Sequence, residues 1–134
     1  MGKWFRRQQN HSSKIPVGPL KLICVVDTSL KMGKGKIAAQ VGHACMEVAL
    51  FLNKSNPAML KAWRLRGSSK VVVRLEENSD FIALSESAKK LGINTHTVRD
   101  AGHTQVNPGT HTVLAIGPAS EELLESITNH LRLL

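Results

Sequence analysis

Leu20-Lys-Leu-Ile-Cys-Val-Val26, and a few residues on Lys31-Met-Gly-Lys-Gly-Lys-Ile-Ala-Ala-Gln-Val-Gly-His-Ala44, together set the class of the fold. The first run is almost continuously apolar, as a strand covered on both faces must be. The second opens on a Lys/Gly-rich turn and passes into helical periodicity. From about Gly35 to Asn53 the apolar residues Ile37, Val41, Cys45, Val48 and Leu52 fall on one stripe. Gln40, His43 and Glu47 share a different stripe with Lys36. A strand feeding a helix through such a turn gathers Lys31, Lys34 and Lys36 beside helix N–H groups, where an anion is stabilised. The turn is not a Walker A loop, because Ile37 follows Lys36 where a Ser or Thr belongs.

The remaining elements follow by the same rules. Pro57 opens a second helix carrying Met59, Leu60 and Trp63, and Gly67 stops it. Lys70–Leu75 reads as a second strand. Ser79 is placed to cap a third helix running to Leu91. Ile93–Arg99 and Thr112–Ile116 are strands three and four, and Asn107-Pro-Gly-Thr110 has type II turn chemistry. Pro118, Ser120, Glu121 and Glu122 start a last helix with Leu123, Leu124, Ile127 and Leu131 facing inward. Helical crossovers make the first three strands parallel, and the helix-free link to strand four makes it antiparallel. The expected fold is α/β, a three-layer α/β/α domain with a mixed, roughly four-stranded sheet. Lys31, Asp100 and Thr112 then converge at the carboxyl edge of the parallel strands, where ligands bind open α/β sheets.

The chain has 134 residues, enough for one domain with a real core, and a formal net charge of +8. That charge is polarised. Residues 1–74 hold 14 Lys/Arg against Asp27 and Glu47, whereas residues 75–134 hold 4 against 8 acids. A basic half points to nucleic acid or an anionic membrane surface. Cys24 and Cys45 read as small core hydrophobes, without zinc spacing around them. No apolar run is long enough to span a bilayer. Residues 1–19 read as a flexible basic arm, with a mitochondrial presequence as the alternative, and residues 20–134 as the folded domain. The matching location is cytoplasmic, with mitochondrial as the alternative.

The second polar segment, Asp100-Ala-Gly-His-Thr-Gln-Val-Asn-Pro-Gly-Thr-His-Thr112, supplies the chemistry-bearing side chains. A carboxylate at Asp100 is placed to act as a base or to orient water, or else to cap its own loop. Thr104 and Thr112 are hydrogen-bond donors for a substrate or ordinary loop and strand threonines. No Ser/His/Asp triad is legible around His103 and His111.

Several segments in one order resemble the peptidyl-tRNA hydrolase 2 family of archaea and eukaryotes. They are Leu30-Lys-Met-Gly-Lys-Gly-Lys-Ile-Ala-Ala-Gln40 with His43-Ala44, Lys70–Val73, Arg99–Gly102 with Thr104, Pro108–Thr110 with Thr112, Ile116-Gly-Pro118 and Asn129–Leu133. The resemblance covers roughly residues 20–134. It implies hydrolysis of the ester between a peptide and the 3′ ribose of tRNA, without metal or other cofactor. It implies catalytic positions at Lys31, Asp100, Thr104 and Thr112. Lys34, Lys36, Gln40 and His43 would contact substrate, with the RNA phosphate backbone as partner. It leaves a homodimer open. The family's usual Arg-x-Asp-Leu-Lys is here Asp27-Thr-Ser-Leu-Lys31, and Asp27 is expected to weaken substrate binding or pair with Lys31. The alternative reading is a catalytically weakened member that binds tRNA or a signalling partner.

Overall fold

The computed structural model describes residues 14–76, 81–101 and 109–134. Strand β1 (Leu20–Asp27) runs through a short 3-10 turn, Thr28–Leu30, into helix α1 (Lys34–Ser55). Then come α2 (Pro57–Leu65), β2 (Lys70–Leu75), α3 (Phe81–Lys90), β3 (Thr95–Arg99), β4 (His111–Ser120) and α4 (Glu121–Thr128). The four strands form one mixed sheet in the order β2-β1-β4-β3. β1 and β2 are parallel, in register from Leu22↔Lys70 to Asp27↔Leu75. β4 lies antiparallel to both β1 and β3, as the helix-free link predicts, and sits between them.

Period-two alternation splits β1 and β4 between two cores. Leu22, Cys24, Val26, Val113 and Ala115 face α1 and α2, packing on Ala44, Val48, Leu52 and Trp63. Ile23, Val25, Leu114 and Ile116 face the other way, onto Leu84 and Ala88 of α3 and Leu124 and Ile127 of α4. This is the expected three-layer arrangement. Local chemistry fixes the helix ends. Asn56 closes α1 and caps α2, its Oδ1 accepting from Met59 N at 3.2 Å, with Pro57 at the first helical position. Ser120 caps α4, whose first turn carries Glu121 and Glu122 against the helix dipole.

Beyond shifts of one or two residues at the ends of β1, α1 and β4, two boundaries differ from the sequence reading. β3 starts at Thr95 rather than Ile93, because Gly92 (φ 72°) turns the chain and Ile93 N bonds back to Ala88 O at 2.9 Å. β4 continues past Ile116 through Gly117 and Pro118 to Ser120, so the last helix begins at Glu121 rather than Pro118. Gly117 makes this possible. Its φ is 114°, and a Cβ there would stand 2.8 Å from the Lys21 carbonyl oxygen of β1. The Gly117–Pro118 peptide is cis.

Residues 14–19, read as part of the arm, run against the domain. Ile15 packs on the α1-side core, and Arg66 Nη1 donates to Pro16 O (2.6 Å) and Gly18 O (2.9 Å). The far end of the chain covers the outer edge of β2. Leu133 bridges Val73, with Arg74 N donating to Arg132 O and Leu134 N to Val72 O. Ser79 and residues 107–108 of the Pro-Gly turn lie outside the described residues. Among the described residues no helix is long and apolar enough to cross a membrane.

Candidate active site

Three elements meet at the carboxyl edge of the sheet on the α1 side: the first turns of α1, the end of β3 and the start of β4. β3 ends at Arg99, so Asp100 is the first residue beyond the sheet. Its N–H donates to Thr110 O, and its carbonyl accepts from Gly109 N, each at 2.9 Å. These bonds clamp the loop's two ends and turn the Asp100 carboxylate inward, where the side chain is fully buried. A carboxylate out of water needs a cation or donors. Lys36 Nζ, itself only 14% exposed, forms an ion pair with Asp100 Oδ1.

One turn along α1, Gln40 is also buried, and its Nε2 donates to Thr112 Oγ1 at 2.7 Å. The Thr112 hydroxyl in turn donates to Val98 O at 3.3 Å. The helix, the central strand and the edge strand are thereby tied together by side chains directly behind the Asp100–Lys36 pair. Residues 36 and 40 stand four apart, so both project from the same flank of α1 toward the sheet edge.

The sequence reading brings Lys31, Asp100 and Thr112 together at this edge and gives Lys36 a substrate contact. The structure seats Lys36 on Asp100. Lys31 stands exposed at the end of the 3-10 turn with φ 51° and makes no ion pair among the described residues. Lys34 and His43 are exposed, while Gln40 of the same predicted stripe is buried. Thr112 is fully buried, with its hydroxyl engaged on both sides. Thr104 and His103 lie outside the described residues. Asp27 does not pair with Lys31. Its Oδ1 accepts from Ser29 N (3.0 Å) and Ser29 Oγ (2.5 Å), capping the 3-10 turn. The signal for Lys36 was its i,i+4 relation to Gln40, which the lysine-rich turn masked.

The mouth of the site is basic. Gly33 caps α1 without a side chain, and no acid stands in the first turn. The amide end of a 22-residue helix therefore opens among Lys31, Lys34 and Lys36, a ready place for a phosphate. Cys24 is not a nucleophile here. Burial, and then the neighbouring Cys45 thiol, push its pKa up to about 12.

A family model described as Peptidyl-tRNA hydrolase PTH2 matches residues 20–134. Peptidyl-tRNA hydrolase 2, mitochondrial, of Homo sapiens is 46% identical over 116 residues, covering 87% of this chain and 65% of the human protein. Peptidyl-tRNA hydrolase of Thermococcus onnurineus is 46% identical over 113 residues, covering 84% of this chain and 96% of the relative. That of Methanocaldococcus jannaschii is 42% identical over 115 residues, covering 86% and 100%. The chain spans just under two thirds of the human and mouse relatives' length and nearly the whole of the archaeal ones.

Proposed function

The chain belongs to the PTH2 family of peptidyl-tRNA hydrolases, and on that premise we propose that it cleaves the ester joining a peptide to the 3′-terminal ribose of tRNA. The observation that carries this reading is the buried Asp100–Lys36 pair beneath a basic helix N-terminus. Ester hydrolysis needs a directed water and a place for the oxyanion. Asp100 orients the attacking water and takes its proton. Lys36 fixes the direction of that carboxylate and offers an N–H to the oxyanion as the carbonyl becomes tetrahedral. The ester C–O bond then breaks, and the ribose 3′ oxygen leaves and is protonated. Gln40 and Thr112 act as positioning residues, holding α1 at its distance from β3 and β4. Lys31 and Lys34, with the α1 amides, hold the terminal phosphates without reading sequence. Thr104 is proposed, on the resemblance alone, as a further substrate contact. Of the two locations read from the sequence, the names of the human, mouse and bovine relatives favour the mitochondrial one.

The test is hydrolysis of N-acetylated aminoacyl-tRNA by the purified chain and by Asp100→Asn. The variant's kcat is expected to fall about 100-fold or more, with the circular dichroism spectrum retained. Undiminished turnover in Asp100→Asn overturns the assignment of that carboxylate.

A further inference from the structure

A second cleft opens on the opposite face of the same sheet edge. Its volume is about 500 Å³, within the range of ligand clefts, and it lies between α3 and the ends of the strands. The pleat explains its lining. Val26 and Thr112 point to the α1 side, so their neighbours Asp27 and His111 point to the α3 side. Leu75, Phe81 and Ile82 give the cleft an apolar wall, and Glu86 adds a second carboxylate. Ile82 is 66% exposed on this helix. His111 is one residue from Thr112, about 3.3 Å along the strand, so the cleft begins immediately across the sheet edge from the candidate active site.

We propose that this cleft holds the peptide portion of the substrate, so that peptide and RNA leave the ester over opposite faces of the sheet; this rests on the hydrolase reading above. Charge decides the division. The α1 mouth presents Lys31 and Lys34 beside the Lys36–Asp100 pair, whereas the α3 cleft presents Asp27 and Glu86, with Lys89 balancing one of them. The net negative charge left in the cleft disfavours a phosphate backbone there. A peptide suits it, because its N–H groups are donors for Asp27 and Glu86 and its side chains cover Leu75, Phe81 and Ile82. Asp27 is held in place by Ser29, whose N–H and hydroxyl both donate to Oδ1.

The test compares N-acetylated aminoacyl-tRNA with an N-acetylated tetrapeptidyl-tRNA carrying the same ester-linked residue, in the parent chain and in the double variant Ile82→Lys, Glu86→Lys. Both positions are exposed on α3, and thermal melting verifies that the variant folds. The ratio of kcat/KM for the long substrate to that for the short one is expected to fall about fivefold in the variant, carried by KM. An unchanged ratio overturns the cleft assignment and leaves the hydrolase reading standing. Tighter binding of deacylated tRNA by the variant, with the ratio unchanged, assigns the cleft to RNA and overturns the proposal equally. A parent chain that cleaves neither substrate overturns the hydrolase reading, and the cleft assignment with it.

Discussion

The two helical layers on this sheet differ more in charge than in packing. α1 and α2 carry Lys34, Lys36, Lys54, Lys61 and Arg64 against Glu47. α3 and α4 carry Glu86, Glu121, Glu122 and Glu125 against Lys89 and Lys90. Both layers bury comparable aliphatic stripes on alternate residues of the same strands. The sheet therefore works as a partition. Its hydrophobic faces give the fold, and the outer faces of its two layers carry opposite charge balances. At the site edge, Lys31 and Lys34 on one side and Asp27 and Glu86 on the other are the two environments between which the proposed substrate would be divided.

That partition breaks most severely at Lys36. Replacing it by alanine strips the ammonium from a fully buried carboxylate, an expected loss of about 3 kcal/mol of stability. Urea denaturation of Lys36→Ala beside the double variant Lys36→Met, Asp100→Leu separates pairing from packing: the double variant should regain most of the loss while remaining inactive. A single variant as stable as the parent would show that the pair is not the buried anchor described.

The layers are next compared by salt. Lys34→Gln, at the mouth of α1, should reduce the slope of log Kd for tRNA against log salt by about one. Glu122→Gln, exposed on α4, should leave the slope alone. Equal responses from the two would erase the distinction between the layers.

The smallest effect concerns His96 of β3, which packs edge-on to Phe51 of α1 at 4.9 Å between ring centres. Burial lowers its pKa below the ordinary 6.5, with the Glu47 carboxylate pulling the other way. Its Nε2 is buried without a hydrogen-bond partner among the described residues. The unfolded chain thus takes up this proton first. Stability contributed here is full above pH 6.5 and declines as pH falls below it toward the folded value. The loss of Tm between about pH 7.5 and about pH 5.5 should be smaller in His96→Gln than in the parent, and an identical loss would remove His96 as its source.

How much of this was legible depended on whether the information was local. β2 was readable to the residue at both ends because Val71–Val73 sit between a Gly/Ser turn and an acidic, polar stretch of sequence. α1 was readable within about two residues, since its apolar spacing is regular. The extension of β4 through Gly117-Pro118 was not. Gly-Pro before Ser and two glutamates carries every local mark of a helix start, and only the backbone of β1 alongside reveals why a glycine is needed. The site divided the same way. Asp100 stood out as a carboxylate just past a strand. Which of three neighbouring lysines would turn inward depended on the phase of α1 against β3, a relation between residues 64 positions apart.

The place of β4 has a consequence for how the chain is made. Among the described strands β1 is made first, yet one of its two partners in the sheet, β4, is made last, with Leu20 pairing to Ser120 and Val26 to Val113. β1 and β2 can pair early, but both cores remain open along one flank until β4 arrives. Closing so long a loop is entropically slow and leaves apolar strand surface waiting meanwhile. Both cores are thus committed to close only once β4 has been made, rather than progressively as each helix and strand emerges, and the nascent domain depends on protection until then.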